Sequence, residues 1–226
     1  MWAIVKKDFK SFFYSPIGYV AVAIFLALMA VFMYLFAATT KVIDFNYVYC
    51  YVAKFALPII VAALTMKSFA EEKNKSTDNL LYTASRKNLP IIVGKVLAVV
   101  LVIFVAIVIS FLYCLIFAKY GAINGRLFIT IGSLILLTFA YASVGVLISS
   151  LTESQVIAAL FTLVFLLLPS FFSYGDGIFS YLGLIEFYSQ ICDGKLSFGS
   201  IFAFVSFSIT CIALATIEMK RNKKIN

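Results

Sequence analysis

Residues 91–118, IIVGKVLAVVLVIFVAIVISFLYCLIFA, form an apolar run longer than the about 20 residues with which a helix crosses the hydrocarbon core of a bilayer. A strand of a membrane β-barrel would instead need segments of about 10 residues that alternate between apolar and polar side chains. From Val96 to Ile109 the run does not alternate, so it reads as a membrane helix. Working outward, further apolar runs separated by short polar breaks lie at about 17–38, 47–66, 127–150, 155–174 and 199–218. The chain therefore reads as an all-α integral membrane protein, a single transmembrane domain over residues 1–226 with six spans. Pro58 and Pro169 fall inside apolar runs, where they are expected to kink or interrupt a helix without ending the crossing.

Composition points the same way. Apolar residues make up 64% of the chain and charged residues 12%, with a mean hydropathy of +1.08, whereas soluble domains run near 45–50% apolar and about 25% charged. A soluble domain of this length would have to show apolar surface on every side, and lipid is the solvent that stabilises such a surface. An even number of spans puts both termini on one side. Loops rich in Lys and Arg stay in the cytoplasm, and that rule places Lys6, Lys7, Lys10, Lys67, Lys73, Lys75, Arg86, Lys87, Lys95, Lys220, Arg221, Lys223 and Lys224 inside, leaving Lys41, Lys119, Arg126 and Lys195 outside. The expected topology is N-in, C-in. Positive-inside bias and attraction to anionic headgroups account for the net charge of +8, so no nucleic-acid partner is expected.

Residues 1–38 carry a basic start and an apolar stretch ending at Ala37-Ala38, but that stretch is too long for a signal-peptide core of about 7–15 residues and reads as a retained span. Cys50, Cys114, Cys192 and Cys211 form no CxxC pair and mostly sit in spans, which argues against a disulfide framework. The absence of histidine removes the commonest metal ligand and the side chain that titrates nearest neutral pH. No metal site and no His-based catalysis are expected.

Two cytoplasmic elements have mechanical content. At about 100° per residue, Trp2, Val5, Phe9, Phe12 and Phe13 fall in one stripe while Lys6, Lys7, Asp8, Lys10 and Ser11 lie elsewhere. Residues 1–15 thus form an interfacial elbow helix, broken by Ser15-Pro16 before the first span. It is either a surface anchor or a transmitter of force. The second element is the loop 67–90, where Glu71-Glu72-Lys73-Asn74-Lys75 leads into Ser76-Thr77-Asp78-Asn79-Leu80-Leu81-Tyr82. Ser76 or Thr77 can cap a short helix, with Asp78 favourable at its positive end. Leu80, Leu81 and Tyr82 would then face the membrane or a partner, unless the loop is only a solvated connection.

Within the spans, Lys54 is costly unless it snorkels to the outer interface or faces water. Glu186 is either an ordinary outer-loop carboxylate or a polar group on an exit route. Gly145 and Ser149 have small-xxx-small spacing, which is common in such spans and weak as a dimer motif. Ser150-x-x-Glu153 and Thr152-x-x-Gln155 fit a capping box at the start of the fifth span. The aromatic side chains, 24 Phe and 13 Tyr, are expected mostly at lipid and interface.

Several stretches together carry a family resemblance that covers the whole chain. Lys7-Asp8-Phe9-Lys10-Ser11-Phe12-Phe13-Tyr14-Ser15-Pro16-Ile17-Gly18-Tyr19 is similar to the connecting helix of permease subunits of type-2 ABC transporters. Glu71-Glu72-Lys73 through Thr77-Asp78-Asn79-Leu80-Leu81 resembles their coupling segment, although a glycine often stands where this chain has Asn74-Lys75-Ser76. Leu89-Pro90-Ile91-Ile92-Val93-Gly94-Lys95 stands at the family's entry to the third span, and Ile148-Ser149-Ser150-Leu151-Thr152-Glu153-Ser154-Gln155 resembles its tight turn between the fourth and fifth. The branch it resembles most is that of gliding-motility-like and copper-site-maturation permeases.

The resemblance implies the transmembrane subunit of an ATP-driven exporter, a multi-pass protein of a bacterial cytoplasmic membrane. It implies pairing with a second permease copy or a homologous permease, with cytoplasmic ATPase subunits, and with an accessory protein bearing an extracellular domain. ATP and Mg would be bound by the partner ATPase, because this chain has no G-x-x-x-x-G-K-[ST] loop and is not expected to be an enzyme. Glu71, Glu72, Thr77, Asp78, Leu80, Leu81 and Tyr82 would couple to the ATPase, Trp2, Phe9, Phe12 and Phe13 would seat the elbow, and Lys54 and Glu186 would lie near the pathway. Residues 171–198 stand where related exporters fold short helices back into the outer leaflet. The alternatives are a stand-alone channel or secondary carrier, which would normally show acidic or His relays inside its spans, and a non-transporting membrane anchor.

Overall fold

The computed structural model describes residues 2–40, 43–69, 89–121, 123–152, 154–172, 184–195 and 197–225. These are helical throughout, joined by turns, with no strand among the described residues. An amphipathic helix α1 (Trp2–Tyr14) opens the chain. It stops at Ser15, whose N–H donates to the Ser11 carbonyl at 3.2 Å and whose hydroxyl donates to the Phe12 carbonyl at 3.2 Å. Pro16 then starts α2 (Pro16–Thr40), a position where the missing N–H costs nothing. The elbow anticipated at Ser15-Pro16 is present.

Helix α3 (Phe45–Thr65) is capped by Asp44, whose carboxylate accepts the Asn46 N–H at 3.0 Å. Then come α4 (Leu89–Ile116), α5 (Gly125–Leu151), α6 (Gln155–Phe172), the short α7 (Leu184–Cys192) and α8 (Phe198–Ile225). Both α3 and α6 run through their prolines, Pro58 and Pro169. Among the described residues, five helices, α2, α3, α4, α5 and α8, are long and apolar enough to cross a membrane. The run expected at 155–174 is the helix α6, apolar but shorter.

At the α5–α6 turn, Ser150 lies inside α5, where its hydroxyl donates to the Leu147 carbonyl at 2.6 Å, and Thr152 donates to the Ile148 carbonyl at 3.1 Å. Helix α6 begins on the bond from the Ala158 N–H to the Ser154 carbonyl at 3.0 Å. Glu153 lies outside the described residues.

Helices α3 and α5 form the centre of the bundle, with 67% and 61% of their apolar windows buried, against 22% for α2 and 28% for α8. The least apolar of the five long helices, α3 at a mean hydropathy of 1.8, is also the most buried. That is the expected arrangement in lipid, where a polar side chain is better placed against protein than against acyl chains. Buried hydroxyls mostly bond to their own helix: Thr138 to the Leu134 carbonyl and Ser143 to the Ala140 carbonyl, each at 2.7 Å. Conversely, Leu112, Ile116, Leu160, Phe161, Ile209 and Ile217 are exposed, a surface that water would not tolerate. The aromatics divide: Tyr34, Phe161 and Phe202 face outward, whereas Tyr49, Tyr188, Phe25 and Phe204 are fully buried.

The small-xxx-small pair on α5 serves the contact between α3 and α5 in this chain. A Cβ at Gly145 would meet the Cβ and Cγ2 of Thr65 at 2.7 Å, so only glycine lets the end of α3 come this close. One turn on, the Ser149 hydroxyl accepts the Phe69 N–H at 3.0 Å. Gly145→Ala should therefore destabilise the detergent-solubilised protein by about 1–3 kcal/mol through overpacking. Adding Thr65→Ala, which removes two of the three side-chain atoms in the way, should return part of the loss. Thermal unfolding of the single and double variants checks this, and a Gly145→Ala midpoint equal to wild type would count against the close packing.

Candidate functional site

Where the chain leaves α3 and later enters α4, the structure buries an ammonium group. Lys95 is only 3% exposed although it sits in the second turn of α4. Removing a charge from water costs several kcal/mol unless partners compensate it, and two elements, α1 and the exit from α3, supply them. The ammonium donates to the backbone carbonyl of Ser68, lies 3.8 Å from an Asp8 carboxylate oxygen of α1, and stands 4.6 Å above the centre of the Phe69 ring. The Asp8 side chain is itself 15% exposed, so the pair lies within the bundle, where screening by water and salt is weak.

Each partner exists for a local reason. Val5 and Phe12 are buried and Phe9 and Phe13 half-buried, so the apolar stripe of α1 seats it against α4 and α2. Lys6, Lys7, Lys10 and Ser11 stay exposed, as the stripe implies, but Asp8 does not join them: it is half-buried, turned toward Lys95. Trp2, at 71% exposure, departs the other way and lies free of the bundle. Phe69 is held twice, by its N–H on Ser149 of α5 and by its ring beneath Lys95. The knot thus ties α1, the exit from α3, the entry to α4 and the end of α5 at one point. It flanks residues 70–88, so Glu71, Glu72, Thr77, Asp78, Leu80, Leu81 and Tyr82 lie outside the described residues.

The sequence reads Lys95 as a cytoplasmic cation and as part of the stretch that resembles the family's entry to the third span, and it sets Asp8 apart from the apolar stripe of α1. The available signal was a lysine inside the longest apolar run together with an acidic residue in an otherwise basic amphipathic helix.

The opposite ends of α3 and α5 carry a second polar cluster. Asn46 accepts the Thr130 hydroxyl at 3.1 Å, Tyr49 shares a hydrogen bond with Ser110 at 3.0 Å, and Tyr188 of α7 donates to the Thr130 carbonyl at 3.4 Å. Lys54 of α3 and Glu186 of α7 are both half-buried, and α7 packs against α3. With about 1.5 Å of rise per residue, the 21 residues of α3 separate the two polar regions by roughly 30 Å, about the thickness of a bilayer core.

Residues 2–175 match the protein family described as ABC-2 family transporter protein. A search of curated proteins finds no match to the chain. The family match begins in α1 with the elbow, takes in the Lys95 knot and the whole of α3, α4 and α5, and ends just beyond α6. Taken with the long apolar helices, it establishes that the chain is a multi-pass membrane protein and belongs to the ABC-2 family of transporter proteins, as a transmembrane permease subunit of an ABC transporter.

Proposed function

We propose that this chain is the transmembrane subunit of an ATP-driven exporter of the gliding-motility-like and copper-site-maturation branch. It forms the translocation path with a second permease and receives force from a separate ATPase subunit that binds ATP and Mg. The observation that carries the coupling part is the Lys95 knot. Residues 70–88, which hold the sequence match to a coupling segment, are rooted at one end in Ser68 and Phe69 and at the other in α4, and both roots meet Asp8 of the elbow through one ammonium. A displacement of that segment is delivered at once to α1, α3, α4 and α5.

Six crossings, with both termini in the cytoplasm, complete the proposal. Helix α6 starts directly after the end of α5 at the knot side, whereas α7 packs by Tyr188 on Thr130, near the start of α5. The chain must cover the height of the bundle between them, and the 18 residues of α6 rise about 27 Å. The basic residues of α1 support placing the knot side in the cytoplasm.

Two experiments test the proposal. In a cysteine-free background, single cysteines at Lys41, Lys119 and Lys195 should react with a membrane-impermeant probe from outside. Those at Lys75 and Lys223 should react only after permeabilisation, and outside labelling at Lys75 would overturn the orientation. For docking, Leu80→Ala combined with Leu81→Ala should weaken co-purification of the ATPase about tenfold or more, since interface anchors commonly cost over 1–2 kcal/mol when truncated. Changes at Glu71 or Glu72 should act mainly on assembly rate and salt dependence. If the double leucine variant kept its ATPase as well as Lys223→Ala does, residues 70–88 would not be the docking segment.

A further inference from the structure

Helix α3 is the most enclosed of the long helices, yet it keeps one open stripe. Its exposed residues are Tyr47, Tyr51, Phe55 and Ile59, each between 41% and 44% exposed. They recur every four residues, which sets them one above another on a single face of the helix. Cys50, Lys54 and Ala63, all half-buried, flank that face. The stripe runs from the end of the bundle where α7 docks toward the Lys95 knot.

Among the described residues, α2 and α6 each pack on α3 more than on each other, which leaves an opening over the stripe. On the α2 side the ring of Phe32 stacks on Tyr51 at 5.6 Å between centres and on Phe55 at 6.4 Å, and Phe36 meets Tyr51 at 5.7 Å. Toward the knot the rings give way to an aliphatic groove of about 230 Å³ between Ile17, Val20 and Ile24 of α2 and Ile59 and Ile60 of α3. Rings and aliphatic side chains alone would suit lipid, but the ammonium among them does not. Lys54 stands nine residues beyond the start of α3, about 14 Å along its axis, deeper than the four-carbon stem of a lysine spans. A charged side chain at that depth is costly against acyl chains and belongs against protein or a water-filled cavity.

We propose that this stripe is a wetted wall of the translocation path, and that Lys54 gives the wall a preference for cargo that joins an anionic group to an apolar body. The inference rests on the reading of this chain as a path-forming subunit, and it adds where on the chain the path runs and which charge it favours. Ligand surfaces pair mostly apolar and aromatic walls with a few polar groups that fix orientation. Here the stacked rings of α2 and α3 supply the wall. Lys54, three residues after Tyr51 and so its neighbour on the helix surface, supplies the fixed contact for an anion. The aliphatic groove toward the knot extends the apolar surface for the same body.

The test is the reactivity of single cysteines in the full chain, assembled with its ATPase in lipid nanodiscs so that reagent reaches both faces of the membrane. Tyr51→Cys and Phe55→Cys report on the stripe, and Phe104→Cys on α4 and Ile209→Cys on α8 are controls away from it. Phe104 is 43% exposed, as Tyr51 is, so exposure within the fold does not by itself separate the two. The probes are sulfonatoethyl and trimethylammonioethyl methanethiosulfonate, one anionic and one cationic, and both need a thiolate, which apolar surroundings suppress. Positions 51 and 55 should react about tenfold faster than 104 and 209 or more. Relative to a free thiol in solution, the anionic probe should outpace the cationic one at 51 and 55. Lys54→Gln should cut that ratio about tenfold, and Lys54→Arg should keep it. Cys114 and Cys211 are buried and stay in place where a cysteine-free chain fails to fold. Positions 51 and 55 reacting no faster than 104 and 209 would overturn the wetted wall, and a charge preference unchanged by Lys54→Gln would overturn the role of the ammonium. Co-purification of the ATPase reads the transport proposal separately, so a slow stripe in an assembled transporter counts against the wall alone.

Discussion

A buried ammonium must be compensated where it stands, and much of the arrangement at one end of this bundle follows from that need. Lys95 is held away from water in the second turn of α4, and its partners are borrowed from elsewhere: a carbonyl and a ring from the exit of α3, a carboxylate from the elbow. Removing one partner of a buried pair commonly costs about 3–5 kcal/mol, because the other is left charged and dry. The elbow is therefore bound to the bundle by more than its apolar stripe. A purely hydrophobic contact between α1 and α4 would hold the elbow against the bundle but leave it free to slide. The directed contacts of the ammonium set its register.

The centre of the bundle answers the same constraint in a milder form. Helix α3 carries Asn46, Tyr49, Cys50, Lys54 and Thr65 and is accordingly the most enclosed of the long helices, while α2 and the apolar part of α8 are left largely to lipid. Its two ends are fixed differently. At one end Thr65 enters the gap over Gly145 and the chain hangs on Ser149 by the Phe69 N–H. At the other, Asp44 caps the helix and Asn46 reaches Thr130 of α5. The central pair, α3 and α5, joins the end that faces the proposed motor to the end where α7 docks. That is the layout expected of a subunit in which force entering on one side must alter a path on the other.

Much of this was legible in the sequence. The membrane class follows from apolar runs that no soluble core could absorb, and Ser15-Pro16 marks the break between α1 and α2, with Pro16 opening the second helix. What could not be read was which way individual side chains face. Asp8 lies between Lys7 and Phe9, and a wheel projection assigns it to the polar side. Only the position of α4 shows that side to be partly covered. Gly145 and Ser149 were visible as a pair of small residues, but spacing alone does not say whether the neighbour they admit is a second copy or, as here, α3 of the same chain.

The central claim is that Asp8 and Lys95 act as one unit through which motion passes between the elbow and the segment 70–88. A double-mutant cycle tests it most directly: ATP hydrolysis by the assembled transporter is measured for wild type, Asp8→Asn, Lys95→Met and the combined variant, with thermal unfolding of each as a control for folding. The account predicts that each single change lowers hydrolysis and that the double variant is no worse than Lys95→Met alone, a coupling of about 1 kcal/mol or more. Losses that simply add in the double variant would show that the two residues act independently, and the knot would then be a feature of stability without a part in coupling.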